Sequence, residues 1–254
     1  MVLKKPISGL KMKKFNLLSL SKDQKLTRMR ILELTFRSNL SHLGSCLSSV
    51  DLIDAIYKVK KDQDKFVLSN GHAGKALYTI LEKYEKIKDP NISEKLRVHP
   101  DRDESLGIFV STGSLGHGLP IALGMAFANK KENVYCMISD GECSEGSIWE
   151  ALRIAADKKI NNLRIIVNAN GWGAYDSISL ESLIKRFEGF GFSVKRVNGH
   201  NFEEICEVLK TPTVHPTIIF GETTVEQLPF LKGQDAHYYI MTEDNYTNAI
   251  ELLK

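Results

Sequence analysis

The stretch Asn133–Gly146, NVYCMISDGECSEG, decides how this chain folds. Five apolar residues, Val134 to Ile138, run without a polar interruption and then break into Asp140, Glu142 and Glu145, with Gly141 and Gly146 among them. A strand that is apolar throughout is buried on both faces, as in a parallel sheet sandwiched between helices. Carboxylates crowded at its end repel one another. A metal, a cationic partner or exposure to water must offset that repulsion, and the run alone leaves all three open.

Working outward, strands and helices alternate. Upstream, Ser21 and Gln24 form a capping-box pattern ahead of a helix carrying Leu26, Ile31 and Leu34, and a second helix is predicted over Ser49–Val59. DKFVLSNGH reads as a short buried strand entering a loop, followed by a helix with Leu77, Leu81 and Tyr84 inward. Leu119–Asn129 is a small-residue helix, Ser147–Lys159 a helix, and Leu163–Val167 a further apolar strand. A helix over Leu180–Phe187, the strand FSVKRV, the turn Asn198-Gly199, a helix opened by Asn201 and the strand PTIIF complete the order. The expected fold is α/β: an open, mostly parallel sheet with helices on both faces. The division is an N-terminal arm over residues 1–20 and one domain over 21–254, without repeat or low-complexity linker.

Composition excludes several functions. With 43% hydrophobic and 26% charged residues this is an ordinary globular chain, and a net charge of +3 makes no case for nucleic acid. The lysines of KKPISGLKMKK read as a solvated tail. No apolar run reaches the ~20 residues that span a bilayer, and FNLLSL is too short for a secretory core. Four cysteines, Cys46, Cys136, Cys143 and Cys206, form no CxxC pair and suit reduced thiols. The expected location is the cytoplasm.

In an open parallel sheet, ligands bind beyond the carboxyl ends of the strands. Asp140 and Asn170 end successive predicted strands, so their loops should be neighbours. An Asp carboxylate, an Asn side-chain oxygen and a main-chain oxygen near Trp172 are hard ligands suited to Mg²⁺ or Ca²⁺ beside phosphates. Taken alone, Asp140 reads as part of a strand-to-helix loop whose acids favour the next helix N-terminus.

The wider pattern resembles the transketolase family of thiamine-diphosphate enzymes. Asp140-Gly141, Glu145-Gly146, WEA and Asn170 resemble its diphosphate–metal motif. Ser69-Asn70-Gly71-His72-Ala73, Ser41-His42-Leu43-Gly44-Ser45, His99-Pro100-Asp101, Thr112-Gly113-Ser114-Leu115-Gly116-His117-Gly118 and Val197-Asn198-Gly199-His200 resemble further family segments in the family's order, over about residues 25–240. The resemblance implies thiamine diphosphate with Mg²⁺ or Ca²⁺ as cofactors, and metal ligation by Asp140, Asn170 and the Trp172 main-chain oxygen. It places Gly113, Ser114, Leu115, His117, Asp140, Gly141, Glu145 and Asn170 around the cofactor, with the Gly141 N–H reaching a phosphate oxygen and Glu145 near an interface with a second chain. His42, His72, His99 and His237 would line a substrate channel as catalytic groups. Neutral imidazoles there can donate to and accept from sugar hydroxyls, and protonated ones can stabilise an oxyanion. Glu142 is left to water, and His200 and His215 to ordinary structural roles.

The implied reaction moves a two-carbon ketol unit from a ketose to an aldehyde. The family's cofactor-activating glutamate sits on a pyrimidine-binding domain, and this chain, ending at residue 254, is expected to lack it. The expected partner is a separately encoded pyrimidine-binding C-terminal subunit, in a heterotetramer acting on sugars or sugar phosphates. Ser139 stands where the family usually has glycine, Leu43 where it has proline, and TTVEQLPF where it has a lysine-glycine run; all three bear on substrate choice. The rivals are a deoxyxylulose-phosphate-synthase-like enzyme starting from a 2-keto acid, a non-catalytic regulatory half, and a zinc hydrolase built on His42, His72 and His99.

Overall fold

The structure is a computed structural model that describes residues 15–212 and 215–254. The chain runs α1 (Lys22–Arg37), α2 (Leu43–Val59), β1 (Lys65–Leu68), α3 (Gly74–Lys83), α4 (Pro90–Lys95), α5 (Gly118–Ala128), β2 (Val134–Ser139), α6 (Gly146–Asp157), β3 (Leu163–Ala169), α7 (Leu180–Gly189), β4 (Ser193–Asn198), α8 (Phe202–Lys210), β5 (Thr217–Glu222) and α9 (Glu243–Leu253). The five strands form one all-parallel sheet in the order β1-β2-β3-β5-β4. Every carboxyl end therefore opens on the same edge.

The strand period of two sends alternate side chains to two cores. Phe66, Tyr135, Met137, Ile166 and Ile219 pack with α1, α2, α3, α8 and α9. Val67, Cys136, Ile138, Val167 and Phe220 pack with α5, α6 and α7 on the other face. The strongest apolar runs thus lie in the middle of the sandwich, whereas β4, at the edge, mixes exposed and covered residues. Truncating a central residue such as Ile166, fully buried, should cost about 2–5 kcal/mol.

The Ser21–Gln24 capping box opens α1. The second helix begins at Leu43, six residues before its expected start at Ser49. Gly44, Ser45 and Ser48 dilute the apolar period there, yet all three are buried. Tyr84 is half-buried and lies just past the end of α3, its hydroxyl donating to Asp54 Oδ1 at 3.0 Å. Two helices lie outside the expected set: the short α4, capped by Asp89, and α9, opened by a Thr242–Asn245 capping box, whose Tyr246 stacks on Phe36 at 4.6 Å. Of the arm expected over 1–20, residues 1–14 lie outside the described residues. Its last residues belong to the fold, for Leu20 is buried and Phe15 meets the His200 ring edge-on at 4.8 Å. Among the described residues no helix is long and apolar enough to cross a membrane. The four cysteines are free and buried.

Candidate functional site

Asp140 is the residue after β2, with its side chain 1% exposed. Its Oδ1 accepts the Gly141 N–H at 2.9 Å and its Oδ2 the Gly171 N–H at 2.6 Å, so the β2 and β3 loops are joined through this one carboxylate. Burial pushes its pKa up to about 7, against the pull of those backbone donors. Asn170 Oδ1 accepts the Trp172 N–H at 2.9 Å, which aims the amide oxygen and orders the turn. A Cβ on Gly141 would lie 3.1 Å from Gly173 Cα and 3.5 Å from the Trp172 carbonyl oxygen, so a side chain here would push the two loops apart by a few tenths of an ångström. The Gly141 N–H, expected to reach a phosphate, is turned to Asp140 instead.

A carboxylate, an amide oxygen and a main-chain oxygen gathered here form a hard donor set of the kind that suits Mg²⁺ or Ca²⁺. Asn170 and Trp172 border a cavity of about 260 Å³ lined also by His72, Leu115, Gly141 and His237, and the buried Asp140 falls between the lining residues Ser139 and Gly141 in sequence. Glu145 is exposed on the same wall. Among the described residues no three His, Cys, Asp or Glu side chains converge as a metal site. Two of this site's three oxygens are not carboxylates.

Glu142 does not face water. It is 0% exposed, and its Oε1 accepts the Ser69 hydroxyl at 2.6 Å and the Gly116 N–H at 2.8 Å. Its own N–H donates to Ser139 Oγ at 3.1 Å, a bond that the family's usual glycine could not make. Burial raises its pKa above the ordinary glutamate range. The side chain thereby ties the β1 loop and the glycine-rich loop to the acidic turn. Hydrogen-bond donors, a fourth answer to the crowded carboxylates, offset its charge.

In the glycine-rich loop, Gly113 has φ +138°, and a Cβ there would meet the His99 ring at 2.7 Å. Leu115 reaches the cavity. Ser114 and His117 are exposed; His117 precedes α5 without capping it.

Four histidines from four loops cluster beside the cavity, with His72 and His237 lining it. The His42 ring centre lies 5.4 Å from that of His72, 6.3 Å from His99 and 4.9 Å from His237; His72 and His237 are 5.0 Å apart. His42 stands at the N-terminus of α2 with φ +67°, a left-handed conformation that costs a non-glycine residue about 1–3 kcal/mol. Burial, then the neighbouring His237 and His99, pulls the His42 pKa down to about 4. His72 falls well below the ordinary histidine value, through burial first and then the neighbouring imidazoles, and burial lowers His237. At neutral pH these three are uncharged imidazoles, able both to donate and to accept. His237 Nδ1 lies 3.2 Å from Ser45 Oγ, and the His42 N–H donates to the His237 carbonyl at 2.9 Å.

Buried polar atoms without a partner collect at this edge: His42 Nδ1, Asn70 Oδ1, Thr112 Oγ1 and Glu142 Oε2. Such atoms call for donors and acceptors from outside the chain or from ordered water. Beneath them lies Asn168, which no sequence motif marks. It donates to Ser48 Oγ and Ser49 Oγ at 2.9 Å each and accepts the Thr223 hydroxyl at 2.6 Å. His200 is a buried histidine bonded to Asp51 and Thr224.

Residues 40–248 match the family described as transketolase, thiamine diphosphate binding domain. The mouse transketolase is 35% identical over 223 residues, which cover 77% of this chain and 36% of that protein. The chain thus spans about a third of the length of the transketolases it matches. One subunit of the apulose-4-phosphate transketolase of Actinobacillus succinogenes is 30% identical over 264 residues, covering 92% of this chain and 96% of that polypeptide. The crystal structure of transketolase from Campylobacter jejuni superposes with a TM-score of 0.81 at 26% identity, over 95% of this chain and 43% of that one.

Proposed function

The chain belongs to the transketolase family, through its thiamine-diphosphate-binding domain, and from this we propose that it is the diphosphate-binding subunit of a two-chain transketolase. The carrying observation is that Asp140, Asn170 and Trp172 meet at one sheet edge, where Asn170 and Trp172 share a cavity with His72 and His237, and His42 packs against both of those histidines. Asp140 Oδ, Asn170 Oδ1 and the Trp172 main-chain oxygen would hold a divalent cation. Thiamine diphosphate, when bound, supplies the nucleophilic carbon and stores the two-carbon unit between donor and acceptor.

This chain's residues position and polarise. The Glu142 carboxylate fixes the glycine-rich loop against the acidic turn, so that Leu115 packs on the cofactor. Neutral His42, His72 and His237, with His99, donate to the ketose hydroxyls and carbonyl. They then take up or release the proton that moves as the donor C2–C3 bond breaks and the new bond forms. The His42 Nδ1 makes no bond within the chain and is one ring nitrogen open to that proton.

The relative supports the reading that a second chain is needed. The Actinobacillus polypeptide is by name one subunit of its transketolase, and the present chain covers 96% of it. A separately encoded pyrimidine-binding chain would supply the activating acid, two of each chain making the working enzyme. That relative is named for a ketose phosphate, so sugar phosphates are the first donors to test. Co-purification with the product of the neighbouring gene, followed by assay with thiamine diphosphate and Mg²⁺, should give ketol transfer to an aldehyde. Preference for pyruvate over ketose donors, or full activity in Asp140→Ala, would overturn the reading.

A further inference from the structure

The segment Thr223–His237 leaves the end of β5 and returns to the histidine cluster, touching both walls of the cavity. Gly233 rests against the Trp172 indole, and Gln234 Nε2 and the Tyr238 hydroxyl both donate to the Ala174 carbonyl at 2.8 Å. At its far end His237 meets His42 and Ser45. Its root, however, is held by groups that border no part of the cavity. The Thr224 N–H donates to His200 Nε2 at 3.1 Å. Nε2 therefore carries no proton, so Nδ1 does, and it donates to Asp51 Oδ2 at 2.9 Å.

Asp51 is 2% exposed and is held from other sides by Arg28, at 3.0 and 2.5 Å, and by Gln24 Nε2 at 3.0 Å. Arg28 Nε in turn donates to Gln227 Oε1 at 2.8 Å, and Gln227 Nε2 donates to the Leu47 and Thr224 carbonyls. Asp51 lies on α2, the helix whose first turns carry His42 and Ser45. One rigid helix thus holds both the root and the tip of the strap.

We propose that His200, protonated at Nδ1, is a positioning residue: it fixes the root of the Thr223–His237 strap to α2 and so sets the place of the His237 ring in the substrate cavity. The inference rests on the reading of His237 as a substrate-facing group. The competing role is purely structural, in which His200 serves only to satisfy the Asp51 carboxylate.

Two amide variants separate these roles. His200→Asn puts an N–H where Nδ1–H stands and leaves the Thr224 N–H without an acceptor. His200→Gln puts an oxygen where Nε2 stands and takes one donor from Asp51, which keeps its bonds from Arg28 and Gln24. Positioning predicts that H200N is the damaging change. In the full chain, amide exchange across residues 223–238 should quicken about tenfold in H200N and stay within about twofold in H200Q. In the enzyme assembled with its second chain, H200N should lower kcat about tenfold while the Kd for Mg²⁺–thiamine diphosphate moves less than about twofold, because Asp140 and Asn170 are held independently. Should H200N fail to fold, Gln227→Met cuts the other root bond and should reproduce its exchange and kcat changes. H200Q proving the worse variant, or exchange unchanged in H200N, overturns the proposal. If the wild-type assembly shows no ketol transfer, the functional reading fails, while exchange in the full chain still decides whether His200 holds the strap.

Discussion

Replacing Glu142 tests whether a buried carboxylate organises the cofactor cradle. Glu142→Ala would leave the Ser69 hydroxyl and the Gly116 N–H, now 2.6 and 2.8 Å from Oε1, buried without an acceptor. Each such orphan costs about 1–3 kcal/mol. Against this stands relief of the burial that raises the Glu142 pKa. The net loss is then about 2–4 kcal/mol, or a fall in Tm of about 4–16 °C for a chain of this size. Glu142→Gln keeps a neutral acceptor for both donors and should lose only about 1 kcal/mol. Thermal unfolding of the full chain gives the first quantity. The second readout is Mg²⁺-dependent uptake of thiamine diphosphate by calorimetry on the assembled enzyme. Release of the glycine-rich loop should weaken it about tenfold or more in E142A and little in E142Q. A side chain that merely filled space would be replaced as well by methionine as by glutamine, whereas loss of the acceptor makes Glu142→Met resemble E142A. An E142A protein as stable as wild type, with unchanged cofactor affinity, would refute the reasoning.

Acid should weaken the folded chain through its histidines. The folded pKa of His42, about 4, lies below its ordinary 6.5, so the unfolded state binds the extra proton and stability falls as pH drops through that window. The loss should be about 1–3 kcal/mol, and His42→Gln should flatten this limb of a denaturant-midpoint titration. Asp140 has the opposite sign: its folded pKa, about 7, lies above 3.8, so without cation its ionisation removes stability as pH rises from 4 to 7. Mg²⁺ must displace that proton, and its affinity, followed by calorimetry, should rise up to about tenfold per pH unit below 7 and level off above. Gly141→Ala forces a Cβ to 3.1 Å from the Gly173 backbone and should weaken cofactor uptake several-fold. Wild-type affinity in that variant would mean that the two loops tolerate being spread.

What the sequence can and cannot reveal follows from the range of each interaction. Strands β2, β3 and β5 are readable because burial on both faces leaves almost no polar residue within their apolar runs, and parallel order then brings Asp140 and Asn170 to one edge whatever the loops do. The first two turns of α2 are hidden by the opposite circumstance. Gly44, Ser45, Ser48 and Asp51 look like a solvated face, yet Ser45, Ser48 and Asp51 are buried because each serves a partner distant in sequence. Ser45 meets His237, Ser48 meets Asn168, and Asp51 meets Arg28 and His200. Glu142 escapes a local reading for the same reason, since its bond from Ser69 spans 73 residues and no local pattern encodes it. A polar residue on such a helix is solvent-facing only if no distant donor or acceptor reaches it. Polar groups buried under a sheet edge that lacks a compensating local charge are therefore better taken as joints between site-bearing loops than as surface. By that argument α2 is the part of this fold where conservative polar-to-apolar changes should be least tolerated. Ser48→Ala is a sharp instance, because it removes one acceptor from Asn168, two residues before Asn170, and otherwise only the bond from its hydroxyl to the Ser45 carbonyl. A loss of metal-dependent cofactor affinity without a matching loss of Tm would mark Ser48 as such a joint; the reverse pattern would make it ordinary packing.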